Sequence, residues 1–205
     1  MLKEFDLELK AKHKANYVVG MDETGRGSMV FSLVAACVIL PDDYYNPKIT
    51  DSKKLSHTQL EEFEKEIKEN ALFYHIVEYD NSAIDTIGIQ QINISAFIQL
   101  KDIAESKYKN VINLVDGNIM KNHRGFLSFE KGDSKSFSIA CASILAKTHR
   151  DRSIINLARE YPHWNLEVNK GYGVDYINHV KDNGYPNKIH RFSYKIKDDK
   201  QIKLF

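Results

Sequence analysis

Two adjacent carboxylates, Asp22 and Glu23, stand at the end of a short apolar run, Tyr17-Val-Val-Gly-Met21, and are followed at once by Thr24-Gly-Arg-Gly27. A Val-rich run of this length reads as a buried strand, and the acids fall at its mouth. Asp and Glu are rarely buried unless paired or holding a cation, so their placement asks for a chemical reason. Two more acids end apolar segments further along: Asp116 in Val115-Asp-Gly-Asn118 and Asp133 in Lys131-Gly-Asp133. Hard divalent cations prefer several oxygen ligands, and four carboxylates gathered from distant positions could hold two Mg²⁺ ions. An acid-glycine turn by itself also simply ends a strand. The downstream acids favour the metal reading. None of the eight His shows zinc spacing, and His149 and His190 read as structural or phosphate-adjacent.

These acids need elements to hold them. The first strand, about 16 to 22, passes through the glycine turn into the apolar run Val30–Leu40, which Pro41 ends, and the two read as an antiparallel hairpin. Ser56 and Gln59 form a capping box, so a helix is expected over 57–69. Residues 71–79 read as a third strand, 84–88 as a short helix, 91–107 as a helix by its apolar spacing, and Val111–Val115 as a buried strand delivering Asp116. A short strand or extended segment over 125–131 leads to Asp133. From Lys135 to about Glu160 the pattern is helical, with small residues (Ala140, Ala142, Ser143, Ala146) on the face that would meet the sheet. Its charges Lys147, Arg150 and Arg152 are expected partly on phosphate and partly in solvent. Tyr161-Pro162 stops this helix. Lys170-Gly-Tyr-Gly173 is a tight turn, and 174–182 a short helix. Residues 1–14 are compatible with a short strand or a loose helix.

At 205 residues and 42% hydrophobic content, the chain suits one α/β domain. Cys37 and Cys141 lie far apart in apolar stretches, as small core residues of a reducing compartment do. The N-terminus lacks a secretory apolar core and no run approaches membrane-spanning length, so a cytoplasmic protein is expected. Residues 1–130 carry 15 Lys/Arg against 20 Asp/Glu, and residues 131–205 carry 14 against 8. A basic C-terminal part facing a phosphate backbone, with metal ligands supplied from the acidic part, fits this division.

Asp22-Glu-Thr-Gly-Arg-Gly27, Asp51-Ser-Lys-Lys-Leu-Ser56, Val115-Asp-Gly-Asn118, Lys131-Gly-Asp133, the Ser138 to Arg152 stretch and Lys170-Gly-Tyr-Gly173 occur in one order and spacing. Together they resemble type 2 ribonuclease H, ribonuclease HII, over about residues 16–194. The resemblance implies an α/β, ribonuclease H-like fold: a mixed five-stranded sheet flanked by helices, with a helical C-terminal extension over about 161–194 and a flexible tail over 195–205. It implies Asp22, Glu23, Asp116 and Asp133 as catalytic, metal-holding acids for Mg²⁺ or Mn²⁺. It further implies hydrolysis on the 5′ side of ribonucleotides in RNA–DNA hybrids or duplex DNA, leaving a 3′-hydroxyl and a 5′-phosphate.

By the same resemblance, Gly25, Arg26 and Gly27 read the 2′-hydroxyl, their bare backbone approaching the ribose. Tyr172 stacks on the neighbouring sugar, and Ser52, Lys53 and Lys54 lie near the scissile phosphate. Two features depart from the family pattern: Thr24, and Ser28-Met-Val-Phe-Ser32 where Pro and further glycines are usual. The last residues, Gln201, Ile202, Leu204 and Phe205, resemble the peptide by which bacterial repair proteins dock on the sliding clamp. A monomer is expected. The competing readings are a DNA nuclease on the same fold and a non-catalytic hybrid-binding module.

Overall fold

The computed structural model describes residues 1–196. Five strands, β1 (Tyr17–Thr24), β2 (Leu33–Ile39), β3 (Phe73–Tyr79), β4 (Val111–Asp116) and β5 (Leu127–Phe129), form one mixed sheet in the order β3-β2-β1-β4-β5. The β1–β2 and β2–β3 pairs are antiparallel, whereas β1–β4 and β4–β5 are parallel. The helices are α1 (Leu2–Lys12), α2 (His57–Asn70), α3 (Asn81–Ile87), α4 (Ile89–Lys107), α5 (Phe137–Ala158), α6 (Leu166–Asn169) and α7 (Gly173–Asn183). The fold is thus a mixed five-stranded sheet flanked by helices.

β2 is buried along its whole length, so it reads as continuous apolar sequence, yet its period of two divides it between two cores. Leu33, Ala35, Cys37 and Ile39 pack with Ile92, Ala96, Phe97 and Leu100 of α4 on one face. Val34, Ala36 and Val38 pack with Leu60 and Phe63 of α2 and with Phe137, Cys141 and Ile144 of α5 on the other. Both cysteines are free and buried. The capping box of α2 forms as its sequence requires, with the Gln59 N–H donating to Ser56 Oγ at 3.3 Å and the Ser56 N–H to Gln59 Oε1 at 3.0 Å.

Two local outcomes differ from the sequence expectations, and at the N-terminus the helix is found where strand and helix were both open. β2 starts at Leu33 rather than Val30, because Phe31 sits at φ 58°, outside the strand region, and residues 28–32 form a pinned loop. Residues 2–12 are helical, with Asp6 accepting hydrogen bonds from Ser138 N–H and Oγ, both at 2.8 Å, at the start of α5. Asp133 does not end a strand: β5 stops at Phe129, Lys131 turns through φ 54°, and Asp133 lies in a 3₁₀ turn, Gly132–Ser134. A third cluster joins Val30 and Ile154 to Tyr176, Val180, Tyr185, Ile189 and Ile196 of the C-terminal part. Ile196, in what reads as tail, is therefore packed; Gln201, Ile202, Leu204 and Phe205 lie outside the described residues.

Candidate active site

Strand register brings the first acids together. β1 and β4 run parallel with Met21 opposite Val115, so Asp22 and Asp116 follow at neighbouring strand ends. Because side chains alternate along a strand, Asp22 and Glu23 leave β1 on opposite faces. Asp22 lies on the α5 side, close to Ser143, while Glu23 lies on the α4 side, where Asn93 Nδ2 donates to its Oε1 at 3.1 Å. Asp116 Oδ1 accepts from the Gly132 N–H at 2.5 Å, which ties the 3₁₀ turn carrying Asp133 to the end of β4. A Cβ at Gly132 would come within 2.8 Å of Ile139 and 3.2 Å of that same carboxylate, so only glycine allows the approach.

The site is short of positive charge. Burial pushes the Asp22 carboxyl well up from its ordinary value, and Glu23 and Asp116 add like-charge repulsion. Burial also raises Glu23, against the Asn93 hydrogen bond, and burial followed by Asp116 raises Asp133. The nearest cation to Asp133 is Lys53, 3.9 Å away with its side chain 80% exposed, so solvent weakens that pair. Among the described residues no three His, Cys, Asp or Glu side chains close round one point. Asp22, Glu23 and Asp116 each accept a hydrogen bond from a protein donor instead, and Asp116 lies near enough to Asp22, Glu23 and Asp133 to repel the charge of each. Their ligand donors are all carboxylate oxygens, mutually repelling and undercompensated, a chemistry that suits a hard divalent cation.

The glycine turn follows directly on the strand that carries Asp22 and Glu23. The Ser28 N–H donates to the Gly25 carbonyl at 3.2 Å, closing a four-residue turn over Gly25-Arg26-Gly27. Gly25 sits at φ 88°, and a Cβ there would meet Arg150 Nε at 2.3 Å and the Ser32 carbonyl at 2.6 Å. Its bareness therefore faces the protein, not a ligand as the sequence reading supposed. Gly27 is open on its outer side, where a Cβ would meet only the Tyr172 ring at 3.8 Å. Tyr172 is partly exposed at 38%, with the Arg150 guanidinium 5.5 Å from its ring centroid. Gly171, at φ 79°, is required by packing, since a Cβ would strike Val30 and Ser28.

Ser52 is buried with its hydroxyl 2.9 Å from Ser143 Oγ, so it fastens the turn that carries Lys53 and Lys54 to α5. Lys53 and Lys54 are exposed. Of the α5 charges, Arg152 is exposed and Lys147 partly so, as expected, whereas Arg150 is not. Arg150 is 1% exposed and donates to the Ser32 and Val30 carbonyls at 2.9 and 3.2 Å. Lys147 pairs with Asp151 at 3.2 Å, and Arg152 with Glu64 at 2.5 Å. His149 pairs with Glu78, while His190 is buried against Tyr176. The departing segment 28–32 is well anchored: Ser28 Oγ donates to the Val30 and Lys170 carbonyls, and Ser32 Oγ to Glu78.

Asn93 was not singled out by sequence, although an amide inside the apolar stripe Ile92, Ala96, Phe97, Leu100 is a signal that something polar must be met there. Its residue is fully buried and its Oδ1 has no hydrogen-bond partner. Asn93→Ala should lower metal affinity or turnover roughly 10- to 100-fold, read as a rise in the divalent-cation concentration giving half-maximal cleavage. An unchanged cation requirement would remove Asn93 from the site.

Comparison with known proteins gives consistent matches. The ribonuclease HII family model covers residues 19–197. The chain is 36% identical over 203 residues to ribonuclease HII of Cytophaga hutchinsonii, covering 98% of this chain and 100% of that one. It is 41% identical over 184 residues to ribonuclease HII of Caldanaerobacter subterraneus subsp. tengcongensis, covering 87% and 74%. Its fold matches a chain in the PCNA:RNase HII complex from Archaeoglobus fulgidus with a TM-score of 0.72, at 24% identity, covering 88% of this chain and 96% of that one.

Proposed function

The chain belongs to the ribonuclease HII family of nucleases, and from that premise we propose that it hydrolyses the phosphodiester on the 5′ side of ribonucleotides in RNA–DNA hybrids or embedded in duplex DNA. The products are a 3′-hydroxyl and a 5′-phosphate, and the cut begins removal of misincorporated ribonucleotides. One observation carries the reading: the strand end that bears Asp22 and Glu23 continues directly into the Gly25-Arg26-Gly27 turn, whose open side faces Tyr172. This adjacency along the chain supports a reading in which the acids cleave beside a surface that reads the sugar.

Asp22, Glu23, Asp116 and Asp133 would hold Mg²⁺ or Mn²⁺. When bound, two such ions supply water activation on one side of phosphorus and charge neutralisation at the leaving oxygen on the other. The chain's own groups do the rest. Asn93 and the Gly132 N–H orient two of the carboxylates. The turn offers backbone donors to the 2′-hydroxyl, the group that separates RNA from DNA. Tyr172 provides a ring face for the adjoining sugar, and the exposed Lys53 and Lys54 provide positive charge for the phosphate. The tail Gln201, Ile202, Leu204 and Phe205 is proposed as a docking peptide for a sliding clamp; the Archaeoglobus fulgidus relative was solved with PCNA.

The test is cleavage of an end-labelled DNA duplex containing one ribonucleotide, with Mg²⁺, Mn²⁺ or chelator, beside an all-DNA control. A single cation-dependent cut 5′ of the ribonucleotide is expected. Cleavage of the all-DNA duplex would point to a DNA nuclease, and binding of hybrid without any cleavage to a non-catalytic module.

A further inference from the structure

Two arginines, Arg150 and Arg191, are buried beneath the Gly25-Arg26-Gly27 turn, Arg191 completely. Among the described residues neither has a carboxylate ion-pair partner, and both donate to backbone carbonyls instead. A guanidinium buried without an ion-pair partner is costly, and an apolar side chain would fill the same space more cheaply; Asp151 and Glu78 favour the Arg150 charge only from a distance. Burial lowers the Arg191 pKa to about 10, which still leaves it charged at neutral pH.

The contacts of Arg191 are concentrated on the turn. Its Nε donates to the Phe31 carbonyl at 2.8 Å, and its Nη1 to the Gly25 carbonyl at 2.7 Å and the Arg26 carbonyl at 3.4 Å. The Tyr194 hydroxyl also donates to the Arg26 carbonyl, and the Tyr194 ring lies 5.3 Å from the Arg191 guanidinium. The segment bearing both residues is itself fixed. Arg191 N–H donates to the Met29 carbonyl at 2.8 Å, Phe31 N–H to the Ile189 carbonyl at 2.7 Å, and Asp85 accepts from the N–H groups of Phe192 and Ser193, both at 2.9 Å.

Peptide geometry turns these contacts into a consequence for the outer surface. All peptides of the described chain are trans, and in a trans peptide the C=O of one residue and the N–H of the next point in opposite directions. Pulling the Gly25 and Arg26 carbonyls inward therefore turns the N–H groups of Arg26 and Gly27 outward, on the side that Gly27 leaves open. We propose that Arg191, assisted by Tyr194, is a positioning residue for sugar recognition: the C-terminal segment sets the orientation of the donors that read the 2′-hydroxyl. The inference rests on the substrate reading given above.

It is tested by binding in Ca²⁺, comparing a duplex that contains one ribonucleotide with an all-DNA duplex of the same sequence, for the wild type, Arg191→Lys and Tyr194→Phe. The wild type should prefer the ribonucleotide duplex. Arg191→Lys, which keeps the charge but loses the fork, should lower that preference about tenfold. Tyr194→Phe, which loses one hydroxyl at the surface and so tests the idea even if the arginine variant folds poorly, should lower it roughly threefold. All-DNA affinity should stay as in the wild type. A merely structural role would lower both affinities together or leave their ratio intact in both variants, and either result overturns the inference. A wild type without preference would overturn the substrate reading, and the inference with it; a preference kept by the wild type and by both variants would overturn the inference alone and leave the substrate reading standing.

Discussion

Asp133→Asn is expected to lower kcat by about a thousandfold or more, while leaving the affinity for an RNA–DNA hybrid at or above that of the wild type. The amide keeps the shape of the carboxylate, so the 3₁₀ turn and its tie from the Gly132 N–H to Asp116 should persist. What it loses is a charged oxygen ligand, which a neutral amide replaces poorly for a hard cation. Binding should not suffer, because removing a negative charge from a site proposed to meet a polyanion reduces repulsion. The fold should not suffer either. Burial and Asp116 raise the Asp133 pKa, so its charged form disfavours the folded state at neutral pH. Without divalent cation at pH 7 the variant should therefore melt at or above the wild-type temperature. That gap should narrow as pH falls through the raised folded pKa, where the wild-type carboxyl is neutral too. Near-normal turnover would falsify the assignment of Asp133 to the four-acid set.

Gly20→Ala is expected to be the most destabilising single-methyl change in the strand that carries the site. A Cβ at Gly20 would lie 2.1 Å from the Ser138 carbonyl carbon, 2.3 Å from its oxygen and 2.5 Å from the Ile139 nitrogen. These are backbone atoms in the first turn of α5, so no rotamer change can clear them. Either β1 or α5 must move. The start of α5 is in turn held by the Ser136 cap, with the Ile139 N–H donating to Ser136 Oγ at 3.1 Å, and by Asp6 of α1. Overpacking of this kind costs about 3 kcal/mol or more when the neighbour is backbone. For a chain of this length the melting temperature should then drop by roughly 6–12 °C. Activity should fall as well, because the strand and helix that must separate carry Asp22 and Ser143. A melting temperature within a degree or two of wild type would show that the close crossing is not needed.

The elements read most easily from sequence were those whose apolar spacing matches their burial. β1 and β4 are short Val-rich runs ending in acids, and α2 announces its start through Ser56 and Gln59. α1 resisted reading because its buried residues are Lys3 and Asp6, not its leucines. Lys3 donates to the Pro41 carbonyl at 2.7 Å, so what that helix buries is polar and paired, a pattern that hydrophobic periodicity cannot reveal. The start of β2 was misplaced for a related reason. Val30 is as buried as the strand residues, but it packs in the C-terminal cluster rather than the sheet.

Sequence alone determined the family, the mixed sheet flanked by helices, and which acids stand at the ends of apolar segments, since residue types and their spacing along the chain carry all of that. Tertiary structure decided how those groups are supported. That Gly25 is bare for the sake of Arg150, that Asn93 holds Glu23, and that Arg191 grips a turn 165 residues earlier are consequences of long-range packing. Each depends on two distant segments meeting at hydrogen-bond distance. A local pattern encodes which face of an element is apolar; it does not encode which buried donor will meet which carbonyl once the faces have closed.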